Sequence, residues 1–231
     1  MFAGFIPYQV DVPMYRWPIA NWAIMGLTWI VSLAVLFSAN PNDAVQPFVL
    51  DGWKLGGLFG HVLVHAGFIH LIGNMIFLWV FGNAICAKVG NGRFLIIYIL
   101  LGLFAAATHN VCVGRRAIGA SGAINGLIGM FLVWYPLNDI SCCYLFWLLY
   151  IVRVATFRLS SYWMILLWFV YDILGAAFGT GRTGYWAHIS GFVAGFALAW
   201  ILLAGKWVEM TPTERSLREI FLGRRRPTPS A

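Results

Sequence analysis

The feature that most limits what this chain can become is a series of apolar stretches, each close to the length needed to cross a bilayer. A spanning helix takes roughly 20 largely apolar residues, because about 30 Å of hydrocarbon must be crossed at about 1.5 Å per residue. Six stretches approach that length: 22–39, 71–87, 94–113, 117–135, 162–178 and 187–205. A seventh, 142–159, has an apolar core from Tyr144 to Val152 that is too short to span and is followed by Arg153 and Arg158. It reads as interfacial. Of the 231 residues only 10% are charged and 61% are hydrophobic, against roughly 25% charged in soluble domains. The sequence therefore predicts an all-α polytopic membrane protein, a six-helix bundle. Residues 1–19 hold Asp11, Arg16 and three prolines, with no small-residue cleavage site after the first run, so that run is expected to be kept as a span.

Six spans put both termini on one side. That side collects eleven lysines and arginines, from Arg16, Lys88, Arg93, Arg153 and Arg158 to Lys206, Arg215, Arg218 and Arg224–Arg226. The other side holds Lys54, Arg115, Arg116 and Arg182. The positive-inside bias predicts cytoplasmic termini. The bare six-span core and short termini lead us to expect a bacterial inner membrane. The expected organisation is an N-terminal cytoplasmic segment (1–21), a membrane domain (22–205) and a basic cytoplasmic tail (206–231). Within the tail, Thr211 to Glu214 matches a capping box opening a short amphipathic helix, with Leu217, Ile220 and Phe221 on one face. The net charge of +7 is assigned to loops facing lipid headgroups, not to nucleic acid, since no basic patch with interleaved aromatics occurs. Cys86, Cys112, Cys142 and Cys143 form no CxxC pair, so neither a disulfide framework, nor a metal site, nor a cofactor is expected.

Polar groups inside hydrocarbon are costly and mark function by default. His70 and Asn74 are four apart, on one face of the second span. Ser121 sits in Gly119-Ala120-Ser121-Gly122 at the mouth of the fourth, and His188 at the mouth of the sixth. Counting spans puts all of them in the same outer layer. Gly122 and Gly126 form a small-residue stripe, as do Gly191 and Gly195, and such stripes let helix backbones approach closely. If the two stripes pack together, His188 reaches Ser121. A serine hydroxyl needs a base within hydrogen-bond reach to become a nucleophile, and neutral imidazole suits that task. The Ser121 N–H, the Asn74 amide and a His70 N–H are candidate donors to an oxyanion. His61 and His65 are expected to anchor the first loop; with His70 they do not share one helical face. Asp172 is expected to make a structural contact with a neighbouring helix rather than to orient His188.

Three motifs make the sequence resemble the rhomboid intramembrane serine proteases: HVLVHAGFIHLIGNM with His61, His65, His70 and Asn74; GASG around Ser121; and AHISGFVAG from Ala187 to Gly195. The resemblance covers roughly Trp22 to Gly205. It implies a six-helix rhomboid-like bundle with a membrane-embedded first loop, and a catalytic dyad of Ser121 and His188. It also implies oxyanion or substrate stabilisation by His70, Asn74 and Gly119, with Gly122, Gly191 and Gly195 in support. The implied substrates are single-span membrane proteins cut near the outer membrane boundary, with no metal or nucleotide. Three positions depart from the family pattern. Asn125 stands where an aromatic residue commonly packs on the histidine, Cys86 stands where a glutamate is common, and Lys54 follows Trp53 where arginine is usual. The alternative implied function is a non-catalytic rhomboid-like protein that binds transmembrane helices.

Overall fold

Backbone amides inside a bilayer must be paired within the protein, which restricts spanning elements to helices or closed barrels. This chain uses helices. The computed structural model describes residues 2–148, 151–179, 184–211 and 214–223; Arg182 and the arginines from 224 onward lie outside the described residues. The apolar helices are α1 (Ile19–Leu36), α2 (Phe68–Val89), α3 (Asn91–Cys112), α4 (Ser121–Trp134), α5 (Ser161–Phe178) and α6 (Tyr185–Ala204). All but α4 are long and apolar enough to cross a membrane. Their outward faces carry exposed Ile30, Leu167 and Ile201, side chains that suit lipid and not water. The chain is an integral membrane protein.

The short helix is the central one. Twelve of the fourteen residues of α4 are buried, among α2, α3, α5 and α6. At about 1.5 Å per residue it is only about 21 Å long. The expected span from 117 begins four residues late. Ala117 instead pairs with Leu50 of the first loop through N–H···O bonds of 2.9 and 3.1 Å, so the chain enters α4 extended. That first loop holds short helical turns at Pro41–Ala44, Gln46–Phe48, Leu55–Gly60 and His61–Leu63, and exposes Trp53, Leu55 and Phe59.

Polar side chains tie the helices at their other end. Through a π-helical turn at Leu78–Gly82, α2 passes the Asn21 amide, which donates to Leu78 O at 3.0 Å and to Asn83 Oδ1 at 2.8 Å. Asn91 Oδ1 accepts the Ala20 N–H at 2.8 Å and the Cys86 thiol at 3.3 Å. One side chain thereby satisfies an unpaired amide at the start of α1 and holds α1 to the α2–α3 corner.

The segment read as interfacial is a pair of strands. β1 (Phe2–Val10), β2 (Asp139–Leu148) and β3 (Ile151–Ser160) form an antiparallel sheet in that order, so the helical bundle carries a small sheet that an all-α reading omits. The cause is local alternation plus remote pairing. Ile140 and Cys142 are fully buried while Ser141 and Cys143 are partly exposed, a period of two. The second partner, β1, lies far away in sequence. Its connections place the sheet at the end of the bundle where α1 and α5 begin and α4 ends.

The tail also differs from expectation. Its helix is α7 (Leu217–Phe221), and the capping box belongs to Ser216 and Glu219. Glu214 Oε2 instead accepts from Thr211 N at 2.8 Å and pairs with Lys88 Nζ at 2.5 Å.

Candidate active site

The stripes of small residues on α4 and α6 lie against each other. A methyl group built on Gly191 would sit 2.1 Å from Gly122 O, and one built on Gly195 would sit 1.8 Å from Gly126 O. Glycine at these positions brings the helices into backbone contact. Lower in the same interface, a methyl on Gly129 would meet Phe192 O at 2.2 Å.

This contact puts the first turn of α6 beside the first residue of α4. His188 Nε2 lies 2.8 Å from Ser121 Oγ. The other ring nitrogen, Nδ1, lies 3.0 Å from Asp172 Oδ1 on α5. A carboxylate accepts only, so Nδ1 carries the proton and Nε2 offers its lone pair to the serine O–H, an assignment inferred from the hydrogen-bond pattern. The structure therefore brings Asp172 onto His188, where only a structural contact to a neighbouring helix was expected. The ring of Tyr185, one turn earlier on α6, stands edge-on to His188 at 6.4 Å. Asn125 turns back along its own helix, donating from Nδ2 to Ser121 O at 2.9 Å.

The serine turn is held from below by the first loop. Gly119 N–H donates to His61 O at 2.8 Å. Its φ of +118° and the His70 ring, 2.9 Å from where a Cβ would stand, both call for glycine. That N–H is thus engaged by the first loop. Ala120 N–H points at His65 Nε2, 3.4 Å away, and His65 Nδ1 meets Ser32 Oγ at 3.1 Å. His61 Nδ1 donates to Gly57 O at 2.9 Å. Burial pushes the His65 imidazole down to about 3 and lowers that of His61 too, so both stay neutral hydrogen-bonding links. The two histidines ahead of α2 turn to different partners.

His70 and Asn74 line the same cavity as Ser121 and His188. Asn74 Nδ2 spends one N–H on His70 O at 2.9 Å, leaving the second. The Ser121 N–H, at the first position of α4, belongs to the amides that have no partner inside the helix. The cavity is about 850 Å³. Between α2 and α5 it reaches Phe77 and Trp168, whose rings stand 4.8 Å apart.

One cavity residue escaped sequence reasoning. His109 on α3 is buried, and its Nε2 donates to Arg115 O at 2.9 Å. That leaves Nδ1 as an acceptor with no hydrogen-bond partner among the described residues. A histidine within an expected span was the available signal. The site thus offers a hydroxyl, an imidazole within proton-transfer distance, a carboxyl behind it and amide donors around it, enough for acyl transfer by a serine nucleophile.

Comparison with known proteins points the same way. Rhomboid protease GlpG of Klebsiella pneumoniae is 26% identical over 167 residues, covering 72% of this chain and 54% of that protein. Rhomboid protease GlpG of Salmonella paratyphi A is 25% identical over 191 residues, covering 76% of this chain and 62% of its own length. The chain therefore spans a little over half the length of these relatives. A family model described as the Rhomboid domain matches residues 52–205, more than half of the chain and all of the site, and the protein belongs to the rhomboid family.

Proposed function

We propose that the protein is an intramembrane serine endopeptidase that cleaves single-span membrane proteins. The observation that carries this reading is the 2.8 Å approach of His188 Nε2 to Ser121 Oγ inside a cavity flanked by apolar helices. Ser121 Oγ attacks the scissile carbonyl carbon while His188 Nε2 takes its proton. The tetrahedral oxyanion is met by the Ser121 N–H, the free N–H of Asn74 and a His70 N–H. The carbonyl then re-forms, the C–N bond breaks, and His188 returns the proton to the leaving amine. Water, deprotonated by the same imidazole, hydrolyses the acyl-enzyme. Gly122, Gly191 and Gly195 serve this chemistry by holding α6 at backbone distance from α4.

The membrane setting follows from element lengths. With α4 about 9 Å shorter than a typical hydrocarbon core, Ser121 sits below one membrane face, and a substrate helix reaches it between α2 and α5 when the Phe77–Trp168 ring contact parts. The sheet, α7 and Lys88, Arg93, Arg158 and Lys206 all belong to the opposite end, so the positive-inside rule puts both termini in the cytoplasm. We assign residues 22–205 as the catalytic membrane domain, flanked by cytoplasmic segments 1–21 and 206–231, in a bacterial inner membrane.

The test uses detergent-purified wild type, Ser121→Ala and His188→Ala with a fluorophosphonate probe and a single-span substrate. Wild type should label and cleave, and both variants should lose both activities while keeping their thermal unfolding. Equal labelling of wild type and Ser121→Ala removes the nucleophile assignment. A wild type that binds transmembrane helices without labelling or cleavage establishes the non-catalytic reading instead.

A further inference from the structure

The contact behind the histidine goes further than the hydroxyl–imidazole pair needs. Asp172 lies in the middle of an apolar helix, where a carboxylate is expensive unless it is partnered. Its side chain is 10% exposed, and the one ion pair it forms among the described residues is with His188, at 3.0 Å. Neither lysine nor arginine neutralises it there. Arg116 of the same cavity turns to Gln46 Oε1. What this acid gains from burial at that spot is contact with an imidazole that becomes cationic during the reaction.

Orientation gives a second reason. A histidine ring rotates about two bonds, and two tautomers are open to it when neutral. The edge-on Tyr185 ring, at 6.4 Å, is too far away to fix either. Asn125, the polar neighbour on α4, is committed to Ser121 O. An acceptor at Nδ1 selects the tautomer whose Nε2 is a base, and the 3.0 Å bond holds the ring plane toward Ser121.

We infer that Asp172 is a positioning residue that completes a Ser121–His188–Asp172 relay, fixing the His188 tautomer and stabilising its protonated form. This rests on the proposed serine-protease reading. The proton path is unchanged: Oγ–H to Nε2, then Nε2 to the leaving amine, with Asp172 accepting the Nδ1–H throughout and staying ionised. The other titratable groups around the cavity are His61 of the first loop, His70 of α2, His109 of α3, Arg116 and Tyr171 of α5, with Tyr185 on α6 itself. Of the titratable groups in the cavity, Asp172 is the one that hydrogen-bonds His188 among the described residues.

The experiment follows fluorophosphonate labelling of the full chain in detergent for wild type, Asp172→Asn and Asp172→Glu. In proteases whose histidine is backed by an aspartate, the amide variant loses about 10⁴-fold, so Asp172→Asn should label about 10²- to 10⁴-fold more slowly. Asp172→Glu, which keeps a carboxylate acceptor for the Nδ1–H, should recover much of that rate. Nitrogen NMR of imidazole-labelled wild type should find neutral His188 protonated at Nδ1, a readout that does not depend on any variant folding. An unchanged or raised rate in Asp172→Asn, or a neutral His188 protonated at Nε2, overturns the inference while leaving the protease reading intact. Failure of wild type to label overturns the protease reading itself.

Discussion

Replacing Gly191 by alanine should disable the site without touching a reacting atom. The added methyl would stand 2.1 Å from Gly122 O, whereas ordinary contact begins at 3.4 Å, so the two backbones must part by about 1.3 Å. Neither atom belongs to a side chain that could swing aside. Gly191 lies less than one turn beyond His188, so the displacement passes almost undiminished to the imidazole. The Ser121–His188 distance, 2.8 Å in the native arrangement, would stretch to about 4 Å, outside hydrogen-bond range. A misplacement of about 1 Å can cost about 10²-fold in rate, so the fluorophosphonate labelling rate should fall by at least that factor. Overpacking of this kind costs about 1–3 kcal/mol of stability, which a thermal melt in detergent would register as a lower midpoint with a folded baseline. Gly26→Ala, on an α1 face where an added methyl meets nothing within 4 Å, is the control and should label at the native rate. A Gly191→Ala protein that labels like wild type would show that the α4–α6 backbone contact does not set the distance between nucleophile and base.

Two further outcomes are expected. Lys88 and Glu214 pair at 2.5 Å with side chains only 5% and 2% exposed, so Lys88→Ala leaves a buried carboxylate uncompensated and should cost about 3–5 kcal/mol in unfolding, whereas Lys88→Met with Glu214→Leu should recover most of it. In Gly126→Ala the atoms nearest the added methyl are those of the Leu101 side chain, at 2.8 Å; combined with Leu101→Ala it should be less destabilising than the two changes summed, by a coupling of about 0.5–3 kcal/mol measured in a double-mutant cycle.

The parts of this fold that could be read from sequence are those set by one dimension. Bilayer thickness fixes how long an apolar run must be, so α1, α2, α3, α5 and α6 lie within a few residues of their expected positions. The start of α4 is displaced because its first residues bridge to Leu50, a partner some 70 residues away whose pairing leaves no local periodicity. The same reason hides the sheet: β1 and β2 share register between Val10 and Ile140, and nothing near either residue announces the other. At the site, spacing of three and four residues was enough to put His70 over Asn74 and to pair the glycine stripes. It could not give the rotation of α5 about its own axis. Asp172 therefore looked like a structural polar group in an apolar helix until its neighbours were known.

The contrast between Gly126 and Gly191 separates two ways in which a membrane core can encode a reaction. At Gly126 the obstacle to a methyl is a leucine side chain, which another substitution can shorten. At Gly191 the obstacle is the carbonyl oxygen of residue 122, which every amino acid carries, and Gly122 already has the smallest side chain available. No replacement at 122 can relieve Gly191→Ala. The distance between Ser121 and His188 is thus set by two main chains in contact, not by a choice of rotamers. In a bilayer, where helix association gains little from the hydrophobic effect and depends on close packing, the packing that stabilises the bundle is also what aligns the proposed nucleophile with its base. The same few glycines then serve both the fold and the proposed chemistry, and variants that regain stability without regaining close contact at Gly191 should not recover fluorophosphonate labelling.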